Sequence, residues 1–146
     1  MWVVWILTGI TLVIGSIYDM KSLALPLWLF IASGVCSLVS VVYQCTKGSY
    51  AWEELPLALL PGGICLLLGF VTREQIGYGD GLLLLNLGVG LGMGAVWELW
   101  IMGLLASFVA SVVLLCSRRA KKSLRIPFVP FLCLGYVWVV MGGMWL

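Results

Sequence analysis

At 146 residues, 63% of them hydrophobic and 10% charged, the chain carries more apolar surface than a soluble domain of this size can bury, so lipid is its expected solvent. The formal charge of +2 gives no basis for nucleic-acid binding, and the absence of histidine removes Ser-His and Cys-His nucleophile pairs and every His-ligated metal site. The five cysteines, Cys36, Cys45, Cys65, Cys116 and Cys133, are scattered and never spaced C-x-x-C. They read as small hydrophobes, and neither a metal nor a cofactor is expected.

A helical span takes roughly 20 apolar residues. The first runs from Trp2 to Tyr18 and lacks a basic leading region and a small-residue cleavage site, so it reads as a retained helix. The second runs from Pro26 to Tyr43 and the third from Leu55 to Val71, with Pro61-Gly62-Gly63 predicting a kink. The fourth, Gly81 to Val96, is short. Its Gly88, Gly90, Gly92 and Gly94 form two overlapping G-x-x-x-G patterns that suit close helix approach. The fifth covers Trp97 to Ser117 and the sixth Pro127 to Leu146. The expected fold is an all-α membrane protein of six transmembrane helices, a single polytopic unit over residues 1–146.

Basic residues set the orientation. The loops after spans one, three and five share a side and hold Lys21, Arg73, Arg118, Arg119, Lys121, Lys122 and Arg125, whereas the other side has Lys47 with Glu53, Glu54 and Glu98. Both termini are therefore expected on the non-cytoplasmic side. Trp2, Trp5, Trp52, Trp97, Trp100 and Trp145 map near that outer boundary, as an interfacial aromatic belt does. The basic run Ser117 to Arg125 suits an anionic lipid or substrate, or simply anchors span five.

Asp19 and Asp80 are the only aspartates, and this topology puts both at the cytoplasmic boundary. Singly, Asp80 suits a helix N-cap and Asp19 an interfacial acid beside Lys21. Together they suit a shared task, because ionisable groups at this depth are costly and usually functional. Two close carboxyls cannot both ionise cheaply, so one stays protonated while the other activates water for amide hydrolysis. Asp80 at a helix N-terminus and Asp19 near a helix C-terminus predict the proton on Asp19 and the base at Asp80. The surrounding glycines predict a backbone free to bring Asp80 to its partner or to admit an extended peptide.

Three motifs resemble the bacterial type IV prepilin peptidases and archaeal preflagellin peptidases, membrane aspartic proteases of the G-x-G-D type. Gly77-Tyr78-Gly79-Asp80 matches the signature, followed by Gly81; the segment Asp19 to Pro26 is similar to that around the family's first catalytic aspartate; and Arg125 to Gly135 resembles its last-span motif. The resemblance implies catalysis by Asp19 and Asp80, cleavage of leaders from prepilin-like or pseudopilin substrates, and an active site at the cytoplasmic face of the inner membrane. Lys21, Pro26, Ile126, Pro127 and Phe128 are candidate substrate contacts, although Pro127 also suits a plain helix start. Leu82 stands where many members have lysine, and Leu27 where many have a polar residue. The methylating domain of longer members, with its paired cysteines, has no counterpart in this sequence. Presenilin-like proteases also use G-x-G-D, but with more spans and a Pro-Ala-Leu element that this sequence lacks. Two other readings stand beside the peptidase: an inactive peptidase-fold subunit of a pilus or secretion machine, and a small proton or cation transporter.

Overall fold

The structure, a computed structural model, describes residues 2–22, 25–72, 78–116 and 127–145, with side chains described for 4–22, 25–72, 78–116 and 127–142. These form helices α1 (Trp2–Ser22), α2 (Leu27–Thr46), α3 (Leu55–Val71, after a short 3-10 turn at Trp52–Glu54), α4 (Tyr78–Leu91), α5 (Met93–Cys116) and α6 (Val129–Trp145). Four stretches, Val4–Ser22, Leu27–Thr46, Trp52–Val71 and Met93–Cys116, are long and apolar enough to cross a membrane; α4 and α6 are shorter apolar helices.

Two boundaries differ from expectation. Helix α1 continues past Tyr18 to Ser22, so Asp19 lies within its last turns and not after the span. The joint between the fourth and fifth helices falls at Gly92, not between Val96 and Trp97. Composition is apolar throughout this region, so hydropathy does not mark the break; the backbone does. Gly92 has φ +85°, a left-handed conformation that only glycine adopts without strain.

Helix α4 is the hub: it packs against α2 and α3 on two sides and touches α5, while α1 bridges α2 and α6, and α5 joins α6 to α3. Missing side chains make that position possible. The site of a Cβ on Gly88 is already filled by the Ala58 carbonyl of α3, and one on Gly81 would meet Leu66 Cγ at 2.7 Å. Those two glycines lie seven residues apart, two turns along one face. From the α3 side, a Cβ on Gly62 would meet the Leu85 backbone nitrogen at 2.6 Å, while Gly90 faces α2 and would meet Ser37 Oγ at 2.9 Å. Gly92 and Gly94 face open space. The close approaches thus use Gly81, Gly88 and Gly90 on two faces, in place of the expected G-x-x-x-G pairs.

Helix α3 runs unbroken through Pro61, which is fully buried. A proline cannot donate to the carbonyl four residues earlier, here Leu57. That freed oxygen accepts a hydrogen bond from Trp97 Nε1 of α5 at 3.0 Å. A neighbouring helix therefore satisfies the group that the proline leaves open, as a low-dielectric surrounding demands.

The α1–α6 seam carries the second half of the scaffold. The Trp5 and Tyr136 rings pack with centroids 5.8 Å apart, the Tyr136 hydroxyl donates to the Trp5 carbonyl, and Gly9 leaves room for the tyrosine ring. Nearer the aspartates, Cys133 hydrogen-bonds Ser16. Leu12, Leu29, Leu83, Leu99, Leu132 and Val129 fill the space between the helices.

Candidate active site

Asp19 is 7% exposed, and its Oδ2 accepts the backbone N–H of Val129 at 3.0 Å; the Phe128 amide also donates to this carboxyl. The sequence of the α6 start explains the grip. Pro130, the second residue of α6, has no N–H, and Phe131 and Leu132 return their amides to the Phe128 carbonyl at 3.0 and 3.2 Å. The amides of Phe128 and Val129 are the donors left over at the helix start, and Asp19 takes both. Pro127 precedes the helix and does not open it.

Asp80 is the third residue of α4, in its first turn, and it lies within electrostatic reach of Asp19 across 61 positions of sequence. The residue is half-buried, and burial strips water from its carboxyl. The flanking glycines are helical, without left-handed backbone; among the described residues only Gly48 and Gly92 have positive φ. What they supply is space. A Cβ on Gly79 would meet Leu25 Cδ1 at 3.1 Å and the Phe30 ring at 3.2 Å, and one on Gly81 would strike Leu66. The glycines on either side of Asp80 let α4 settle between α2 and α3. The expectation of a freely moving backbone around Asp80 is replaced by tight packing.

The surroundings of the two carboxyls favour the opposite placement of the proton from the one expected. Asp19 belongs to the last turns of α1, but its carboxyl points at the N-terminus of α6, where two amides stabilise an anion. Hydrogen bonds to a charged group contribute about 1.5–3 kcal/mol each. Asp80 has no comparable donor described. The geometry therefore suits the charge on Asp19 and the shared proton on Asp80.

Of the remaining candidate residues, Tyr78 opens α4 and is 37% exposed, Lys21 is exposed in the last turn of α1, and Pro26 is the residue before α2, with its carbonyl accepting the Leu29 amide. Phe128 packs on the core through its ring and holds Asp19 through its amide. Gly77 and Ile126 lie outside the described residues. Sequence reasoning missed Leu25 and Phe30, which press on Gly79, and Cys65, whose buried thiol lies within the electrostatic reach of Asp80. A pocket lined by Gln44, Tyr50, Glu54, Gly88 and Gly92 sits at the other end of α4 and includes neither aspartate.

Residues 6–116 match the model of the type IV leader peptidase family, a stretch that contains both aspartates and the Gly77-Tyr78-Gly79-Asp80 signature. The chain belongs to that family. No curated protein and no solved structure matches it. Family membership, together with four helices suited to crossing a bilayer, makes this leader-peptidase chain a membrane protease of that general type. Helix α6 lies beyond the matched stretch, yet it supplies the amides that grip Asp19.

Proposed function

We propose that this chain is an aspartic endopeptidase that removes leader peptides from type IV prepilin-like or pseudopilin membrane proteins at the cytoplasmic face of the inner membrane. The observation that supports the reading is that Asp80 lies within electrostatic reach of Asp19, two carboxyls from helices far apart in sequence, one of them held by two backbone amides. Ionised Asp19 takes a proton from a water molecule as its oxygen adds to the scissile carbonyl carbon. Asp80 gives its proton to the carbonyl oxygen. On collapse, the C–N bond breaks, Asp19 returns its proton to the leaving nitrogen, and the diol returns one to Asp80. The two carboxyls end as they began.

The same reading holds that all six helices cross the membrane, with both termini on the non-cytoplasmic side. A basic leader then stays in the cytoplasm by the rule that retains Lys21, and the cut falls beside the pair. In this reading Lys21, Pro26 and Phe128 border an extended peptide, and Leu82, exposed one turn into α4, adds an apolar side.

The test is co-expression with candidate prepilins, following leader loss by mass spectrometry for wild type, Asp19→Asn and Asp80→Asn. Cleavage by wild type that is lost in both membrane-inserted variants supports the pair. A variant that stays fully active sinks the paired mechanism. A wild type that cleaves no candidate returns weight to the inactive-subunit reading.

A further inference from the structure

Beyond its first turn, which carries Asp80, helix α4 is apolar except at one residue, Asn86. Its Nδ2 donates to the Phe30 carbonyl at 3.1 Å and to Ser33 Oγ at 2.8 Å, both on α2. The bonds continue along the same interface. Ser37 Oγ donates to the Asn86 carbonyl at 2.5 Å, Ser40 Oγ to the Gly90 carbonyl at 2.6 Å, and Gln44 Nε2 to the Gly90 carbonyl at 3.3 Å and to Ser40 Oγ at 3.0 Å. Ser33, Ser37, Ser40 and Gln44 recur at helical spacing, so α2 presents one polar stripe to α4.

We propose that Asn86 is a positioning residue: through this ladder it fixes the depth and rotation of α4, and with them the placement of the Asp80 carboxyl against Asp19. The inference rests on the peptidase reading for its effect on cleavage, but not for its effect on geometry. Between apolar helices in lipid there is no hydrophobic penalty for sliding or turning. The glycine seam toward α3 limits how close the helices come, and its contacts are non-directional. Directional bonds from a single asparagine at a helix interface are a known means of fixing helix register, and Asn86 is a half-buried case.

The link to the site passes through Phe30. Its carbonyl is held by Asn86, and its ring fills the space beside Gly79, the neighbour of Asp80. One residue of α2 thus touches α4 at two heights, roughly 10 Å apart for the seven residues from Gly79 to Asn86. Asn86 itself is too far along α4 to reach the reacting atoms.

The test uses the full chain, with the five native cysteines replaced and spin labels at Met20→Cys and Leu82→Cys. Both positions are exposed and each flanks one aspartate. Electron paramagnetic resonance then reads the separation of α1 and α4 without substrate. Asn86→Leu keeps the size and suits lipid, and Ser33→Ala removes one acceptor with less change of volume. Both variants are expected to shift or broaden the distance distribution, Asn86→Leu more. In label-free enzyme, kcat is expected to fall roughly 10- to 100-fold in Asn86→Leu, as a displacement near 1 Å predicts, with KM little changed. Asn86→Gln is expected to recover part of both. A distribution unchanged in both variants overturns the proposal, as does a raised KM with kcat intact. If wild type cleaves nothing, the peptidase reading fails by itself, and the distance measurement alone decides the ladder.

Discussion

Gly62 and Gly63 are neighbours on α3 with opposite surroundings, which makes them a matched test of the packing that holds Asp80. A Cβ on Gly62 would lie 2.6 Å from the Leu85 nitrogen and 2.9 Å from the Gly81 carbonyl oxygen, both backbone atoms of α4 that no rotamer change can move. Ordinary contact begins at 3.4 Å, so Gly62→Ala must part α3 and α4 by about 0.8 Å. A Cβ on Gly63 meets nothing within 4 Å. Overpacking of this kind costs about 1–3 kcal/mol, against which alanine gains about 1 kcal/mol of helix propensity. The net expectation for Gly62→Ala is a loss of up to about 2 kcal/mol. For Gly63→Ala it is a gain of up to about 1 kcal/mol.

The effect on cleavage is expected to exceed the effect on stability. The displaced backbone at Gly81 is bonded to Asp80 itself, and a misplacement near 1 Å at a reacting group lowers rate about 100-fold. Purified variants in lipid nanodiscs would be compared by thermal unfolding, followed through the native tryptophans, and by single-turnover leader cleavage. Wild-type cleavage in Gly62→Ala, or equal losses in both variants, would refute the claim that the α3–α4 seam sets the position of Asp80.

Infrared spectra at neutral pH should show a protonated carboxyl that vanishes in Asp80→Asn and persists in Asp19→Asn; the reverse pattern would restore the proton to Asp19. Gly92→Ala should destabilise by about 1–2 kcal/mol, the cost of a left-handed residue with a Cβ, although the space around it is open; a neutral result in thermal unfolding would count against the break at that position. Trp97→Phe should destabilise wild type through the Leu57 carbonyl, and less in a Pro61→Ala background, with a coupling of about 1 kcal/mol by double-mutant cycle. Membrane-impermeant maleimide should reach exposed Cys45 from outside intact cells and exposed Cys116 only from the cytoplasmic side, leaving buried Cys65 unmodified; labelling of both from one side would reject the six-span orientation.

Much of the helical layout is legible in the sequence because lipid makes it so: α2 and α3 begin within a residue of the apolar runs that predict them. What hydropathy cannot see is a change of direction inside an apolar stretch, and Gly92 is such a case, set apart by a φ that the sequence does not show. That Asp19 and Asp80 come within electrostatic reach of one another was open to reasoning from charge scarcity and the expected side of the membrane. The partner of each carboxyl was not. That the leftover amides at the start of α6 turn toward Asp19 depends on how α1 and α6 cross, which no local pattern encodes. For the same reason dipole reasoning from each aspartate's own helix leaves out the helix end that faces Asp19, which belongs to α6. The glycines around Asp80 were legible as important and misread in kind, since small size and free φ look identical in sequence.

The polar groups within the bundle also bear on transport. A proton relay needs donors that can hand a proton on and then turn to receive another. Here Ser33 donates to the Phe30 carbonyl, Ser37 to the Ser33 and Asn86 carbonyls, and Ser40 to the Gly90 carbonyl. Each hydroxyl hydrogen ends on a backbone oxygen that has no proton to pass along, so the stripe is built to hold helices and not to conduct. The two aspartates lie within electrostatic reach of one another near the start of α4, and the other acid in the described α-helices, Glu98 in the second turn of α5, is exposed, which suits a reaction at one face. Proteoliposomes carrying a pH-sensitive dye and an imposed proton gradient should therefore leak at the same rate with wild type as with the Asp19→Asn, Asp80→Asn double variant. Flux that depends on either aspartate would overturn this argument and make the pair a gate.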